Sequence, residues 1–284
     1  MKKASNFVFV TGVSSGIGNS ITKSLLKKGF RVIGTIRNEK DKATAQTSFG
    51  ENFYPVITDI TNADSVKEAI HQCHKILAGS GLGGLINNAG VALGGPIADM
   101  SMDDIKLHFE VNVFGLLQIT KAFLPLLGVD ENHPDLPGKI INITSVAGKF
   151  AAPFLGPYAG SKYAIEGISD SLRRELLPYG IDVIVVGPGN VITPIWDKGI
   201  NLKRYEGSKF YNTYKNFAEY AVNESASGHT ADEMGDLIAN VFTNQKPKAR
   251  YAFVKGRLKN WIIPRMIPTR MMDKMIGKQL GTVK

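Results

Sequence analysis

Tyr158-Ala159-Gly160-Ser161-Lys162 sets a phenol and an ammonium four residues apart, so on a helix the two side chains share one face. Thirteen residues before the tyrosine, Ser145 follows the apolar run Lys139–Thr144. Ligands bind at the carboxyl ends of strands in open α/β sheets, and Ser145 stands at such an end. A phenol titrates at about 10 in water, and a neighbouring cation favours its ionised form. The trio is therefore equipped to move a proton to or from an oxygen, with a hydroxyl beside it to meet developing charge. Tyr-x-x-x-Lys alone is common on solvated helix faces. Its meaning rests on the strand-end serine and on the elements around it.

The second chemical feature is Thr11-Gly12-Val13-Ser14-Ser15-Gly16-Ile17-Gly18, directly after the apolar run Phe7–Val10. Glycines here let the backbone turn tightly and approach a pyrophosphate, whose charge meets a helix N-terminus. No Gly-Lys-Ser/Thr follows, so this is not a P-loop. Gly12-Val13-Ser14-Ser15-Gly16 also matches the G-x-S-x-G elbow of hydrolases, with Ser14 as nucleophile. That mechanism needs an acid and then a histidine after later strands. Only His229 stands near a suitable position, and no HGGG-type segment occurs, so the dinucleotide reading is preferred. An enzyme selective for an unphosphorylated ribose carries an acid at the end of its second strand. Here that end reads Gly34-Thr35-Ile36-Arg37-Asn38. A guanidinium grips a 2′-phosphate in a fork, so NADP(H) is the expected cofactor. The plainer alternative is a solvated strand-end arginine.

Short β-branched runs alternate with helical patterns through the first two-thirds of the chain. Strands are predicted at 7–10, 31–36, 52–58, 84–88, 139–144 and 182–186. Helices are predicted at about 17–28, 63–77, 102–127 and 158–177. This rhythm predicts an α/β, doubly wound Rossmann-type fold, a mostly parallel sheet with helices on both faces. Nothing interrupts it, so one domain over 1–284 is expected. Residues 194–227 depart from the rhythm and hold Trp196, Tyr205, Phe210, Tyr211, Tyr214, Phe217 and Tyr220. They suit an amphipathic helix packed on the body, a helical flap over an apolar pocket, or both. Thr230-Ala231-Asp232-Glu233 reads as a capping box opening a helix to about Phe242.

Composition excludes other classes. With 43% apolar and 21% charged residues among 284, the chain is neither disordered, collagen-like nor a polytopic membrane protein. The net charge of +9 suggests a polyanion partner until it is divided by region. Residues 1–244 carry 23 basic against 24 acidic residues, whereas 245–284 carry 11 against Asp273 alone. The body is neutral, so no nucleic-acid partner is expected. The lone Cys73 permits no internal disulfide and fits a reducing compartment. The N-terminal apolar run is too short for a signal peptide, and no run reaches about 18 apolar residues. A cytoplasmic location is expected.

These motifs together resemble the short-chain dehydrogenase/reductase family, over about residues 5–195 in order. Thr11 to Gly18 matches T-G-x-x-x-G-x-G, and Asp59 stands where the family has its adenine-side acid. Asn87-Asn88-Ala89-Gly90, Asn112, the set Ser145, Tyr158 and Lys162, and Pro188-Gly189-Asn190-Val191-Ile192-Thr193 match further segments. The resemblance implies hydride transfer between a nicotinamide and a carbonyl or alcohol carbon. Tyr158 would be the general acid/base and Lys162 would lower its pKa and bind the nicotinamide ribose. Ser145 would bind the carbonyl oxygen, and Asn112 would hold a water linking Lys162 to solvent. Cofactor contacts are implied at Gly12, Ser14, Ser15, Gly16, Ile17, Gly18, Arg37, Asp59, Ile60, Asn88, Ala89, Gly90, Pro188, Gly189, Val191 and Thr193, besides Tyr158 and Lys162. Asn88 is expected to steady the central sheet rather than touch substrate. Two small departures, Gly160 and Thr144, are expected not to touch the chemistry. A homodimer or homotetramer is the family's habit.

Other features carry less. His71-Gln72-Cys73-His74 lacks a fourth ligand, so no metal is expected. His108, His133 and His229 look isolated, and the loop 128–138 has no readable role. Asp103 and Asp104 suit the first turn of the long helix. Two further classes stay open: a nucleotide-sensing protein without turnover, and a peripheral membrane protein acting through its tail. In that tail Ile267, Met271, Met272, Met275, Ile276 and Leu280 share one side of a helix, with Arg270, Lys274 and Lys278 on another. The apolar side would meet a membrane, another subunit or the substrate pocket. Lys248-Ala249-Arg250-Tyr251 and this ending loosely resemble members acting on retinoids and hydroxysteroids. A small, apolar substrate is expected.

Overall fold

A computed structural model describes residues 2–195 and 199–282. Trp196 lies outside the described residues. Apolar runs closed by turns form the strands β1 (Phe7–Val10), β2 (Arg31–Ile36), β3 (Phe53–Ile57), β4 (Gly84–Asn87), β5 (Lys139–Ile143) and β6 (Asp182–Pro188). A late strand, β9 (Arg250–Phe253), completes a seven-stranded sheet in the order β3-β2-β1-β4-β5-β6-β9. Every neighbouring pair in it runs parallel. Two short strands, β7 (Val191–Ile192) and β8 (His229–Thr230), pair separately.

The helices between them are α1 (Gly16–Lys27), α2 (Glu39–Phe49), α3 (Ala63–Leu77), α4 (Met102–Phe109), α5 (Leu116–Leu124) and α6 (Gly156–Glu175). Beyond the sixth strand come α7 (Tyr211–Ala226), α8 (Ala231–Thr243), α9 (Ile263–Met266) and α10 (Thr269–Leu280). Alternation along β1 divides the core. Val8 and Val10 join Ile21 and Leu25 of α1 and Met234 and Ile238 of α8. Phe7 and Phe9 join Val66 and Cys73 of α3 and Ile119 and Phe123 of α5. Both faces of the sheet are thus covered, as parallel sheets require.

Four features differ from the expectation or add to it. The helix α2 has no apolar stripe; Ala45 is its one fully buried residue, and Asn38 Oδ1 caps it by accepting from Asp41 N. The edge strand β9 is half-buried throughout. The long helix is interrupted by a π turn, Glu110–Gly115, between α4 and α5. As a whole, Met102–Val129 is long and apolar enough to cross a membrane, yet half of it is buried against the sheet as a core helix. Finally, the loop 128–138 anchors the start of the chain: His133 meets the Leu126 and Asp135 carbonyls, and Lys2 Nζ donates to the His133 carbonyl.

Candidate active site

Strand order reverses between β1 and β4, and the crevice beyond their carboxyl ends is where an open α/β sheet takes its ligand. Two turns meet there. Asn88 Nδ2 donates to the Thr11 and Gly12 carbonyls at 2.9 and 3.0 Å, while Thr11 Oγ1 accepts from the Asn88 and Ala89 amides. Asn88 therefore holds the glycine turn to the fourth strand. Gly12 sits at φ +70°, where a Cβ would also press on Ala89. At Gly18 a Cβ would collide with the Gly12 carbonyl and the Asn88 amide, so backbone packs on backbone. Thr193 faces Gly16 from across the turn, with its Cγ2 3.5 Å from where a Cβ would stand.

The turn leads into α1 with Ser14 and Ser15 exposed and no side chain capping the first amides. Free N–H groups at a helix start attract phosphate. The residues present thus fit the pyrophosphate of a dinucleotide. Arg37 directly follows β2 in solvent and makes no ion pair among the described residues, which leaves its guanidinium available. Asp59 is exposed beyond β3, with Oδ1 accepting from Thr61 N and Oγ1. Among the implied contacts, Ile60 and Val191 have apolar side chains packed into the core. Ile17 packs partly on the core. Pro188 and Gly189 border β9, where Gly189 N donates to the Phe253 carbonyl.

The Ser–Tyr–Lys set assembles at the neighbouring strand end. Ser145 follows β5 in extended backbone and opens the turn Val146–Gly148. Tyr158 and Lys162 share one face of α6, both buried, with Nζ 5.8 Å from the phenol ring centroid. Lys162 Nζ donates to the Ile143 carbonyl at 3.1 Å. Burial pushes the Tyr158 phenol up from its usual range, and its hydrogen bond with Ser145 pulls it back in part. Burial also brings the Lys162 ammonium down to about 8.

Asn112 sits in the π turn, as π turns often mark functional positions. Its Oδ1 accepts from Val91 N at 2.8 Å, and its Nδ2 donates to the Val91 carbonyl and to Ser161 Oγ. One of these amide bonds holds the loop after β4 and the other ties the π turn to α6. Gly90 keeps open the space beside it: a Cβ there would lie 3.0 Å from Asn112 Oδ1 and 3.6 Å from Lys162 Nζ.

Several neighbours escaped the sequence reading. His108 is fully buried with its ring 6.4 Å from that of Tyr158, centroid to centroid. Its Nε2 accepts from Leu93 N, so the Nδ1 proton donates to the Asp104 carbonyl. Thr144, expected to be silent, donates its hydroxyl to buried Glu166. Nothing in one sequence marks either, because both roles depend on packing between distant segments. The aromatic segment does lie against this region: Tyr205, Tyr214 and Phe217 cluster with Leu155 and with Leu280 of α10. Tyr214 Oη donates to the Gly94 carbonyl, and Arg204 pairs with Asp104.

A glycine turn at a helix start and a Ser–Tyr–Lys set, side by side on one parallel sheet, are the arrangement of a dinucleotide-dependent oxidoreductase. The comparisons agree: residues 6–201 match the short chain dehydrogenase family, and the chain belongs to it. It is 36% identical to an NADPH-dependent 3-dehydrocapnine reductase of Ornithobacterium rhinotracheale, covering 96% of this chain and 97% of that one. It is 29% identical to retinol dehydrogenase 7 of Rattus norvegicus, covering 98% of this chain and 89% of that one. Among solved structures, the closed form of serine dehydrogenase complexed with NADP+ superposes with a TM-score of 0.71 at 26% identity, covering 87% of this chain and 94% of that one.

Proposed function

We propose that the protein is an NADP(H)-dependent oxidoreductase that interconverts a ketone and an alcohol on a lipophilic substrate. The observation that carries this reading is the buried Tyr158 phenol, hydrogen-bonded to Ser145 and set above Lys162 at a strand end beside the glycine turn. Bound NADPH supplies the hydride. Tyr158 Oη gives its proton to the carbonyl oxygen as the hydride arrives at carbon, and takes it back in the reverse direction. Ser145 Oγ donates to the same oxygen and holds its developing charge. Lys162 Nζ stands beneath the phenol and steadies the phenolate that the proton leaves behind. The α1 N-terminus and the Ser14–Ser15 backbone hold the pyrophosphate, and Arg37 holds the 2′-phosphate.

The lipophilic substrate is supported by the lining near Gly156, two residues ahead of Tyr158. Pro96, Ile97, Ala152, Pro153, Phe154 and Phe210 line a cavity of about 230 Å³ there. The similarity to a 3-dehydrocapnine reductase and a retinol dehydrogenase supports the same class, and makes 3-dehydrocapnine and retinal the first compounds to test. The assay is loss of the reduced nicotinamide absorbance with these carbonyls. Turnover by wild type and its abolition in Tyr158→Phe are expected.

We also propose that the C-terminal segment rests on an anionic membrane surface. Leu258, Ile262, Ile263, Met266, Met271 and Met275 are exposed among arginines and lysines, while Ile276 and Leu280 anchor α10 to the aromatic segment. Such a face suits the boundary of headgroups and acyl chains.

A further inference from the structure

Glu166 lies one helical turn beyond Lys162 and two beyond Tyr158 on α6, with 4% of its side chain exposed. Both of its oxygens are engaged. Oε1 accepts from Thr144 Oγ1 at 2.8 Å, and Oε2 accepts from Arg250 Nε at 2.6 Å. Lys149 Nζ pairs with Oε2 at 3.2 Å. A carboxylate in such a place must be paired and hydrogen-bonded to stay ionised. Its partners come from three separate segments: the end of β5, the turn after it, and the edge strand β9.

Two of these partners bracket Ser145. Thr144 immediately precedes it, and Lys149 ends the tight turn that Ser145 opens. That turn lies flat on α6: a Cβ at Gly148 would stand 3.0 Å from both Glu166 Cγ and the Lys162 carbonyl. The helix face that presents Tyr158 therefore also grips the segment that presents Ser145, through one carboxylate. Displacing a reacting group by about 1 Å can lower a rate on the order of 10²-fold.

We propose that Glu166 is a positioning residue: through Thr144 and Lys149 it sets the placement of the Ser145 hydroxyl relative to the Tyr158 hydroxyl, and through Arg250 it ties that placement to the C-terminal strand. This deepens, and rests on, the reading of Ser145 and Tyr158 as the pair that meets the carbonyl oxygen.

The test uses Thr144→Val, which keeps the shape and removes one hydroxyl, beside Thr144→Ser, which restores it. Glu166→Gln serves as a second disruption. In NADPH-dependent ketone reduction, Thr144→Val is expected to lower kcat roughly tenfold, with KM for NADPH unchanged and Thr144→Ser near wild type. In protein labelled with 13C-tyrosine, the Tyr158 Cζ resonance, assigned through Tyr158→Phe, should shift in Thr144→Val and Glu166→Gln and return in Thr144→Ser. Wild-type kcat and an unmoved resonance in Thr144→Val would overturn the proposal. So would a loss of kcat that Thr144→Ser does not restore, or one that merely follows a fall in Tm. If wild type reduces no ketone, the functional reading fails, and the resonance still decides whether Glu166 positions the pair.

Discussion

Burial shifts the titration of the side chains grouped around the Tyr158 hydroxyl. It pushes the Tyr158 phenol above its usual range and brings the Lys162 ammonium down to about 8. It also lowers His108, whose Nε2 must stay unprotonated to accept from Leu93 N. The native state therefore binds the His108 proton less readily than the unfolded chain, whose imidazole titrates near 6.5. The stability this contributes is complete above that value and declines as pH falls toward the lowered native one. His108→Gln keeps an acceptor for Leu93 N, so its Tm should fall less steeply than wild type below about pH 6.5. Parallel melting curves across that range check this. Arg37 carries a second prediction at this scale. Charge-assisted hydrogen bonds are worth about 1.5–3 kcal/mol each. Arg37→Ala should therefore raise KM for NADPH by roughly tenfold or more, leaving NADH little affected.

Among the elements, legibility followed how much of each signal was local. The glycine turn, the β-branched strands and the Thr230–Glu233 capping box stand where their residues place them, because turn, period and cap act within a few positions. The helix α2 was not visible, since a surface helix with one buried residue and an Asn38 cap has no apolar period to read. Nor was β9, a short edge strand whose partner, β6, lies more than sixty residues earlier. The π turn around Asn112 left no mark on the apolar pattern of the long helix. At the site the same division holds. Ser145, Tyr158 and Lys162 were legible from spacing, whereas His108, Glu166 and Arg250 take their meaning from contacts that fold alone creates.

For the molecule as a whole, the net charge of +9 describes a neutral body and a basic ending. A second copy would present the same positive tail and be repelled, whereas an anionic bilayer would gain about 1 kcal/mol per basic residue near its surface. Reversing Arg270, Lys274 and Lys278 to Glu together should abolish sedimentation with phosphatidylserine-containing vesicles while leaving turnover of a soluble ketone intact. Equal sedimentation of variant and wild type would contradict this docking surface.

The central claim is that Tyr158 donates the proton in an NADPH-dependent carbonyl reduction. It is tested most directly by following NADPH consumption with 3-dehydrocapnine and retinal, in wild type and in Tyr158→Phe. Removing a general acid costs on the order of 10²–10⁴-fold, so measurable wild-type turnover and at least about a hundredfold loss in the variant are expected. Equal rates in the two proteins, or no oxidation of NADPH by wild type with any carbonyl, would contradict it.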